Sequence, residues 1–172
     1  FSGSVAGVFD ADMASHVLAA LPGQYALIPL DAAGVSVAQR PVWDQSRQIF
    51  DVVLDGYRAD PSLIVAQGDA ATALHDKISP NAQLALAADS LGGAAAALDM
   101  TIEYLGMRKQ FDRPLAMFQA LKHRCADLKT RIVAAEALLW NRANAADATA
   151  TDLGALKSHA AQVYQLVTEE AI

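Results

Sequence analysis

Seven consecutive residues, Arg108-Lys109-Gln110-Phe111-Asp112-Arg113-Pro114, bring three cations, an amide and an aromatic ring into one short stretch, and Gln119 and Lys122-His123-Arg124 follow shortly after. The chemistry these side chains can do is binding rather than bond-making. The guanidinium of Arg108 is a planar fork of donors that matches phosphate oxygens two at a time. Phe111 offers a face to a flat ring, and Gln119 can hydrogen-bond a polar ligand. This combination suits a phosphorylated ligand that carries a heterocycle. The plain alternative is a solvated turn between two helices, its cations favoured by the dipole at the C-terminus of the first.

Other chemistries lack their residues. There is neither a GxGxxG nor a GxxxxGK[ST] pattern, so no Rossmann turn or P-loop is expected. His16, His75, His123 and His159 are far apart, without HExxH or paired cysteines, and no metal site is expected. Cys125 falls on an apolar helix face and reads as a buried structural thiol. Glu169 and Glu170 are adjacent, so on a helix they point to different faces and make a solvated helix end, not a carboxylate pair. Nineteen acids against thirteen bases give a net charge of -6, which argues against nucleic-acid or anionic-membrane partners. One cysteine cannot form an internal disulfide, which makes a cytoplasmic location the default, and no apolar run reaches the ~18 residues of a membrane helix.

The elements that must position the cationic stretch differ between the two halves of the 172-residue chain. Apolar residues make up 53% and aromatics 6%, enough for a sizeable core, and alanine supplies about a fifth of all residues, which favours closely packed helices. Short runs rich in Val, Ile and Phe, at 24–30, 34–38 and 49–54, predict strands, with Asp31-Ala32-Ala33-Gly34 as the turn between the first two. Residues 61–76 are ambiguous, with a short helix as one reading. Ser79-Pro80 has the form of an N-cap with proline at the first helical position. The helix so opened runs to about Met107, with Leu84, Ala88, Leu91, Ala95, Leu98, Ile102 and Leu105 on one face. Its Gly92-Gly93 pair suggests a close approach by another backbone.

A second helix, from Pro114 to about Asn144, carries Phe118, Leu121, Cys125, Leu128, Ile132, Ala135 and Leu139 at unbroken spacings of three and four, a seam for an antiparallel neighbour. A third opens at Asp152, with Leu156, Ala160, Val163, Val167 and Ala171 inward. The expected fold class is therefore α+β: a short strand portion of a β-barrel-like domain followed by a long-helix antiparallel bundle. The expected division is 1–60 for the β part, 61–78 for a connection and 79–172 for three helices. A start at Phe1-Ser2-Gly3 and a helix still running at the last residue suggest a piece of a longer protein.

The run from Thr101 to Asp127 resembles the acyl-CoA dehydrogenase family: a tyrosine, Tyr104, then RKQFGRP (here Arg108-Lys109-Gln110-Phe111-Asp112-Arg113-Pro114), then Phe118-Gln119, then His123-Arg124-Cys125-Ala126-Asp127 as H-x-x-A-D. In the front half, Asp31-Ala32-Ala33-Gly34-Val35 is similar to the family's D-x-x-GV strand. Asp44-Gln45-Ser46-Arg47 is similar to its D-x-[TS]-R element, and Val53-Leu54-Asp55-Gly56-Tyr57 to its V-x-FDGV strand.

The resemblance implies the late middle β domain and first C-terminal helices of a flavoprotein oxidoreductase of lipid metabolism and fatty acid β-oxidation. In that family a glutamate removes the α-proton of an acyl-CoA thioester, the β-hydrogen passes as hydride to FAD, and electrons leave through an electron-transfer flavoprotein. Arg108, Gln110, Phe111 and Gln119 match positions that reach the FAD of a neighbouring subunit, which implies a homo- or hetero-oligomer. Three departures stand out. Ala82-Gln83 occupy the position where some members carry a catalytic Glu-Arg, so the base is expected beyond Ile172 or is missing. Asp112 replaces a glycine beside the phosphate site, where it weakens binding or is neutralised by Arg113. Asp89 replaces another glycine, on a stretch of the first helix expected to face inward. As given, the chain is expected to be inactive. The alternatives are a catalytically silent, FAD-clamping partner subunit of a heteromeric dehydrogenase for steroid or other bulky CoA esters, and a helical scaffold without cofactor.

Overall fold

The computed structural model describes residues 1–44 and 46–171. Gln45, inside the D-x-[TS]-R element, and Ile172 lie outside the described residues. The chain divides into two compact units, Phe1–His75 and Asp76–Ile172.

The first unit holds six strands in two antiparallel sheets. Strands β1 (Gly3–Phe9), β5 (Ile49–Leu54) and β4 (Val35–Arg40) form one, in the order β1-β5-β4. Strands β2 (His16–Leu21), β3 (Gln24–Pro29) and β6 (Ile64–Gln67) form the other, in the order β2-β3-β6. No closed barrel is present among the described residues. The three strands legible in the sequence are β3, β4 and β5. The turn at 31–34 does not make a hairpin of β3 and β4; it carries the chain from one sheet to the other. Strands β1, β2 and β6 were not anticipated. β1 is nearly all exposed and is interrupted by Gly7 (φ 81°) where its register with β5 shifts. β2 alternates exposed with half-buried residues, but its HVLAAL sequence has apolar residues on both faces and so shows no apolar-polar alternation. The segment at 61–76 holds a 3-10 turn (Pro61–Leu63), β6 and the start of a helix.

Gly34 is fixed by geometry. Its φ is 83°, and a Cβ there would lie 2.6 Å from the carbonyl oxygen of Asp55, whose amide donates to the Gly34 carbonyl at 2.8 Å. Phe50 and Val52 of β5 pack with Ala11, Val8, Leu30, Val35 and Val37 as the core of that sheet.

Helix α1 spans Asp69–Met107 and corrects the expected start at Ser79: Pro80 lies inside it. Proline at a helix opening and proline in a helix interior leave the same local signal. The alanine-rich turns at 69–78 extend the helix upstream of Pro80, which removes only the amide that would serve the carbonyl of residue 76. Helix α2 spans Gln119–Ala143 and α3 spans Ala150–Glu170. α2 starts five residues later than expected because Pro114 is extended (ψ 142°) and residues 115–117 form a 3-10 turn. α3 starts two residues earlier than expected, on a capping box. Thr149 Oγ1 accepts from the Asp152 amide at 3.1 Å, and Asp152 Oδ2 accepts from the Thr149 amide at 3.0 Å. The Thr149 amide and hydroxyl hold the Asp152 carboxyl below the usual carboxylate range.

The second unit is built on one core. Ala87, Leu91, Ala94 and Leu98 of α1 meet Leu128, Ile132 and Ala135 of α2 and Leu153, Leu156, Ala160, Val163 and Val167 of α3. The α2 seam is as read, with Cys125 and Leu139 partly buried against the core. The α1 face is rotated from the expected one: Ala88 and Ile102 are exposed, while Ala87 and Ala94 are buried. Asp89 is likewise exposed rather than inward. An alanine-rich helix has too little contrast between its faces to fix the stripe, so small residues on the contact side let α1 pack closely. The close approach expected at Gly92-Gly93 is to a side chain, not a backbone. A Cβ on Gly93 would sit 2.8 Å from the Tyr164 ring, and one on Gly92 would meet nothing within 4 Å.

Two substitutions test this account. Gly34→Ala meets both the positive φ and the Asp55 carbonyl, and is expected to destabilise the protein by about 2 kcal/mol or more in chemical denaturation. Ile132→Ala, at a side chain that is 0% exposed, is expected to cost about 2–5 kcal/mol by the same measurement.

Candidate functional site

The cationic stretch is the reversal between α1 and α2. Just past the end of α1, the Arg108 amide donates to the Tyr104 carbonyl at 2.9 Å, and the Arg108 carbonyl accepts from the Leu115 amide at 2.8 Å. Between these bonds a minimal hairpin forms, β7 (Lys109–Gln110) against β8 (Arg113–Pro114), with Gln110 opposite Arg113. Phe111 and Asp112 make its turn, with φ of 54° and 61°. Two central residues with positive φ are the signature of the type I′ turn that matches strand twist, a geometry that favours Asn-Gly. Asp tolerates it. Phe does not, at a cost of about 1–2 kcal/mol.

Two ring contacts offset that strain. The Phe111 ring stands edge-on to Phe118 (centroids 6.0 Å apart, 74° between planes), and the Arg113 guanidinium lies 4.0 Å over the Phe118 ring. Together these contacts contribute about 1–2 kcal/mol. Arg113 therefore does not neutralise Asp112 as one reading expected: its cation is taken up by Phe118, and no ion pair joins it to Asp112 among the described residues.

Of the four expected ligand-binding residues, Arg108 closes the base of the hairpin, Gln110 lies on β7, Phe111 is at the turn and Gln119 is the first residue of α2; all four are exposed, Phe111 to 83%. The cap residue of α2 is Phe118, which supplies no side-chain acceptor; the Leu121 amide donates to the Phe118 carbonyl at 3.1 Å, and the Gln119 and Ala120 amides keep their donor capacity. Cations on a type I′ hairpin, an aromatic held outward against its backbone preference and an uncapped helix start form a surface suited to an anion attached to a flat ring.

Two residues were undervalued in the sequence. Phe118, a seam residue by its spacing, anchors both Arg113 and Phe111. His123, part of the H-x-x-A-D motif, has its Nε2 2.9 Å from Gln119 Nε2. The i,i+4 spacing of Gln119 and His123 was the available signal. Elsewhere, Glu169 and Glu170 go separate ways, as expected: Glu170 pairs with Arg124 at 3.1 Å and Glu169 accepts from Gln165 at 2.7 Å. Cys125 borders a small apolar pocket of about 230 Å³ with Ile102, Leu105, Ala116, Leu121 and Lys122. Among the described residues no three His, Cys, Asp or Glu side chains converge, and no helix is long and apolar enough to cross a membrane. At the alternative base position, Ala82 is exposed, and Gln83 Oε1 is buried without a donor beside Gly154, whose added Cβ would lie 3.2 Å away.

The acyl-CoA dehydrogenase C-terminal domain model matches residues 80–172. The acyl-CoA dehydrogenase IpdE2 of Mycolicibacterium smegmatis is 31% identical over 133 residues, which is 77% of this chain and 38% of that protein. Two solved structures share the fold across 99% of the chain. The ChsE4-ChsE5 complex from Mycobacterium tuberculosis has a TM-score of 0.79 at 24% identity, over 48% of its chain. A glutaryl-CoA dehydrogenase from Mycobacterium smegmatis in complex with FADH2 has a TM-score of 0.82 at 20% identity, over 46% of its chain. The chain thus spans less than half the length of these relatives. With the helical family model covering more than half of its residues, the chain belongs to the acyl-CoA dehydrogenase family.

Proposed function

We propose that this chain is part of an FAD-dependent acyl-CoA dehydrogenase that introduces an α,β double bond into an acyl-CoA thioester and passes electrons to an electron-transfer flavoprotein. On this reading residues 1–60 are the late part of a middle β domain, 61–78 a connection and 79–172 the first helices of a C-terminal helical domain. The reversal between α1 and α2 holds the diphosphate and adenosine of FAD belonging to an adjacent subunit.

The observation that carries the reading is Phe111, an aromatic ring kept 83% exposed on a left-handed backbone among cations. The edge contact with Phe118 offsets the strain but leaves the ring uncovered, and a ligand that stacks on the ring would use that exposed face. The donor set fits FAD. Arg108 supplies a fork for the diphosphate, the open amides of α2 add partial positive charge, Phe111 supplies a face for adenine, and Gln110 and Gln119 supply amides for the remaining polar edges. FAD, when bound, supplies the hydride acceptor. The glutaryl-CoA dehydrogenase that shares this fold is a complex with the reduced flavin.

A second reading is favoured by the residues at the alternative base position. Alanine has no titratable group, an amide is not a useful base, and the amide oxygen of Gln83 is buried against α3. The chain is then a catalytically silent, FAD-clamping subunit of a heteromeric enzyme for bulky CoA esters; the ChsE4-ChsE5 structure it resembles is itself a complex of two named proteins.

The full-length protein, with FAD and any partner subunit present, is expected to retain flavin absorption bands through gel filtration; their absence overturns the cofactor assignment. If acyl-CoA reduces a dye through this protein alone, the silent-subunit reading is wrong. Arg108→Ala is expected to weaken FAD binding about tenfold or more, as for loss of a charge-assisted hydrogen bond. Asp112→Gly removes a negative charge beside the phosphates and relaxes the φ of 61°, and is expected to tighten binding about two- to fivefold, measured by fluorescence titration.

A further inference from the structure

We propose that His123 is a positioning residue: it fixes the side-chain amide of Gln119 in one orientation, so that Gln119 meets the flavin nucleotide already ordered. The proposal rests on the reading of this corner as an FAD site.

Gln119 Nε2 and His123 Nε2 are 2.9 Å apart. An amide nitrogen has no lone pair to offer, so with the amide turned this way Gln119 donates and His123 accepts at Nε2, an arrangement that requires the Nδ1-protonated tautomer. Turning the Gln119 amide over would present its oxygen to His123 and require a proton on Nε2. The protonation of one ring atom thus decides which end of the amide points away from the helix. In the observed orientation the Gln119 carbonyl oxygen and its second N–H are left for a ligand.

Gln119 needs such a partner because of where it sits. It is the first residue of α2, exposed, and the cap residue Phe118 makes no side-chain hydrogen bond. A long, exposed side chain at that place loses rotamer freedom when a ligand orders it, and an intramolecular hydrogen bond made beforehand reduces the loss. His123 lies one turn on, at the spacing that puts two side chains on the same face. Its neighbours are otherwise engaged: Arg124 pairs with Glu170 at 3.1 Å, and Lys122 borders the pocket with Ile102, Leu105 and Cys125.

The experiment measures FAD affinity of the full-length protein, with any partner subunit, for His123→Ala and His123→Gln, with Arg108→Ala as the reference. Glutamine at 123 returns an oxygen acceptor close to the place of Nε2. His123→Ala is expected to weaken FAD about three- to tenfold, and His123→Gln to stay within about twofold of the parent. In the cofactor-free protein, nitrogen NMR is expected to show His123 Nε2 unprotonated and a displaced Gln119 side-chain amide signal that His123→Ala abolishes. An Nε2-protonated ring overturns the proposal, as does a His123→Gln protein as impaired as His123→Ala. If His123→Ala binds FAD normally while Arg108→Ala does not, positioning by His123 is wrong and the site stands. If Arg108→Ala also binds normally, the reading of the corner itself has failed.

Discussion

The site depends on one constraint: the chain must reverse between α1 and α2 within a few residues, and it does so through a two-residue turn that needs positive φ at both positions. A glycine would meet that need without strain. This chain places Phe111 and Asp112 there, and the conformation holds because the hairpin is tied at its base by the Arg108–Leu115 hydrogen bond and at its side by Phe118. The small ring contacts and the backbone strain are of similar size, about 1–2 kcal/mol each, so the turn is held without a large surplus. Its consequence is exposure. The Phe111 ring, Arg108 and Lys109 are exposed and remain available to a partner or ligand.

Behind the turn, the three-helix core supplies rigidity. The fully buried Leu91, Leu98, Ile132, Leu156 and Val167 lie on three different helices, so the start of α2 is carried on a packed scaffold and not on a loop. A binding residue on a helix keeps its position better than one on a mobile segment. Gln119 gains from this, and its bond to His123 extends the same order from backbone to side chain.

The family assignment and the residues at the alternative base position pull in different directions. Membership follows from the helical portion, whereas Ala82 and the buried amide of Gln83 offer nothing that can accept a proton from a substrate carbon. A fold shared with dehydrogenases does not carry their reaction by itself; the reaction belongs to the site. The candidate binding corner and the proton-transfer chemistry are separable in this molecule, since the residues of the first lie between Arg108 and Gln119 and no proton acceptor is present at 82–83.

What the sequence determined by itself is whatever short-range spacing encodes. The α2 seam from Leu121 to Leu139 was legible because its apolar residues contrast with Lys122, Arg124, Lys129 and Arg131 between them. The candidate site was legible as a list, because cations, an amide and an aromatic within a dozen residues lie close in space however the chain folds. Strands β3, β4 and β5 were legible from their Val, Ile and Phe content. Tertiary structure decided the rest. It put β3 and β4 into different sheets although one turn joins them, because strand pairing is settled by distant partners such as β6 and β5. It buried Ala87 in place of Ala88, because an alanine-rich helix presents nearly equal faces and its neighbours choose between them. It also gave Arg113 to Phe118 rather than to the adjacent Asp112: once a left-handed turn points neighbouring side chains apart, proximity in sequence no longer means contact.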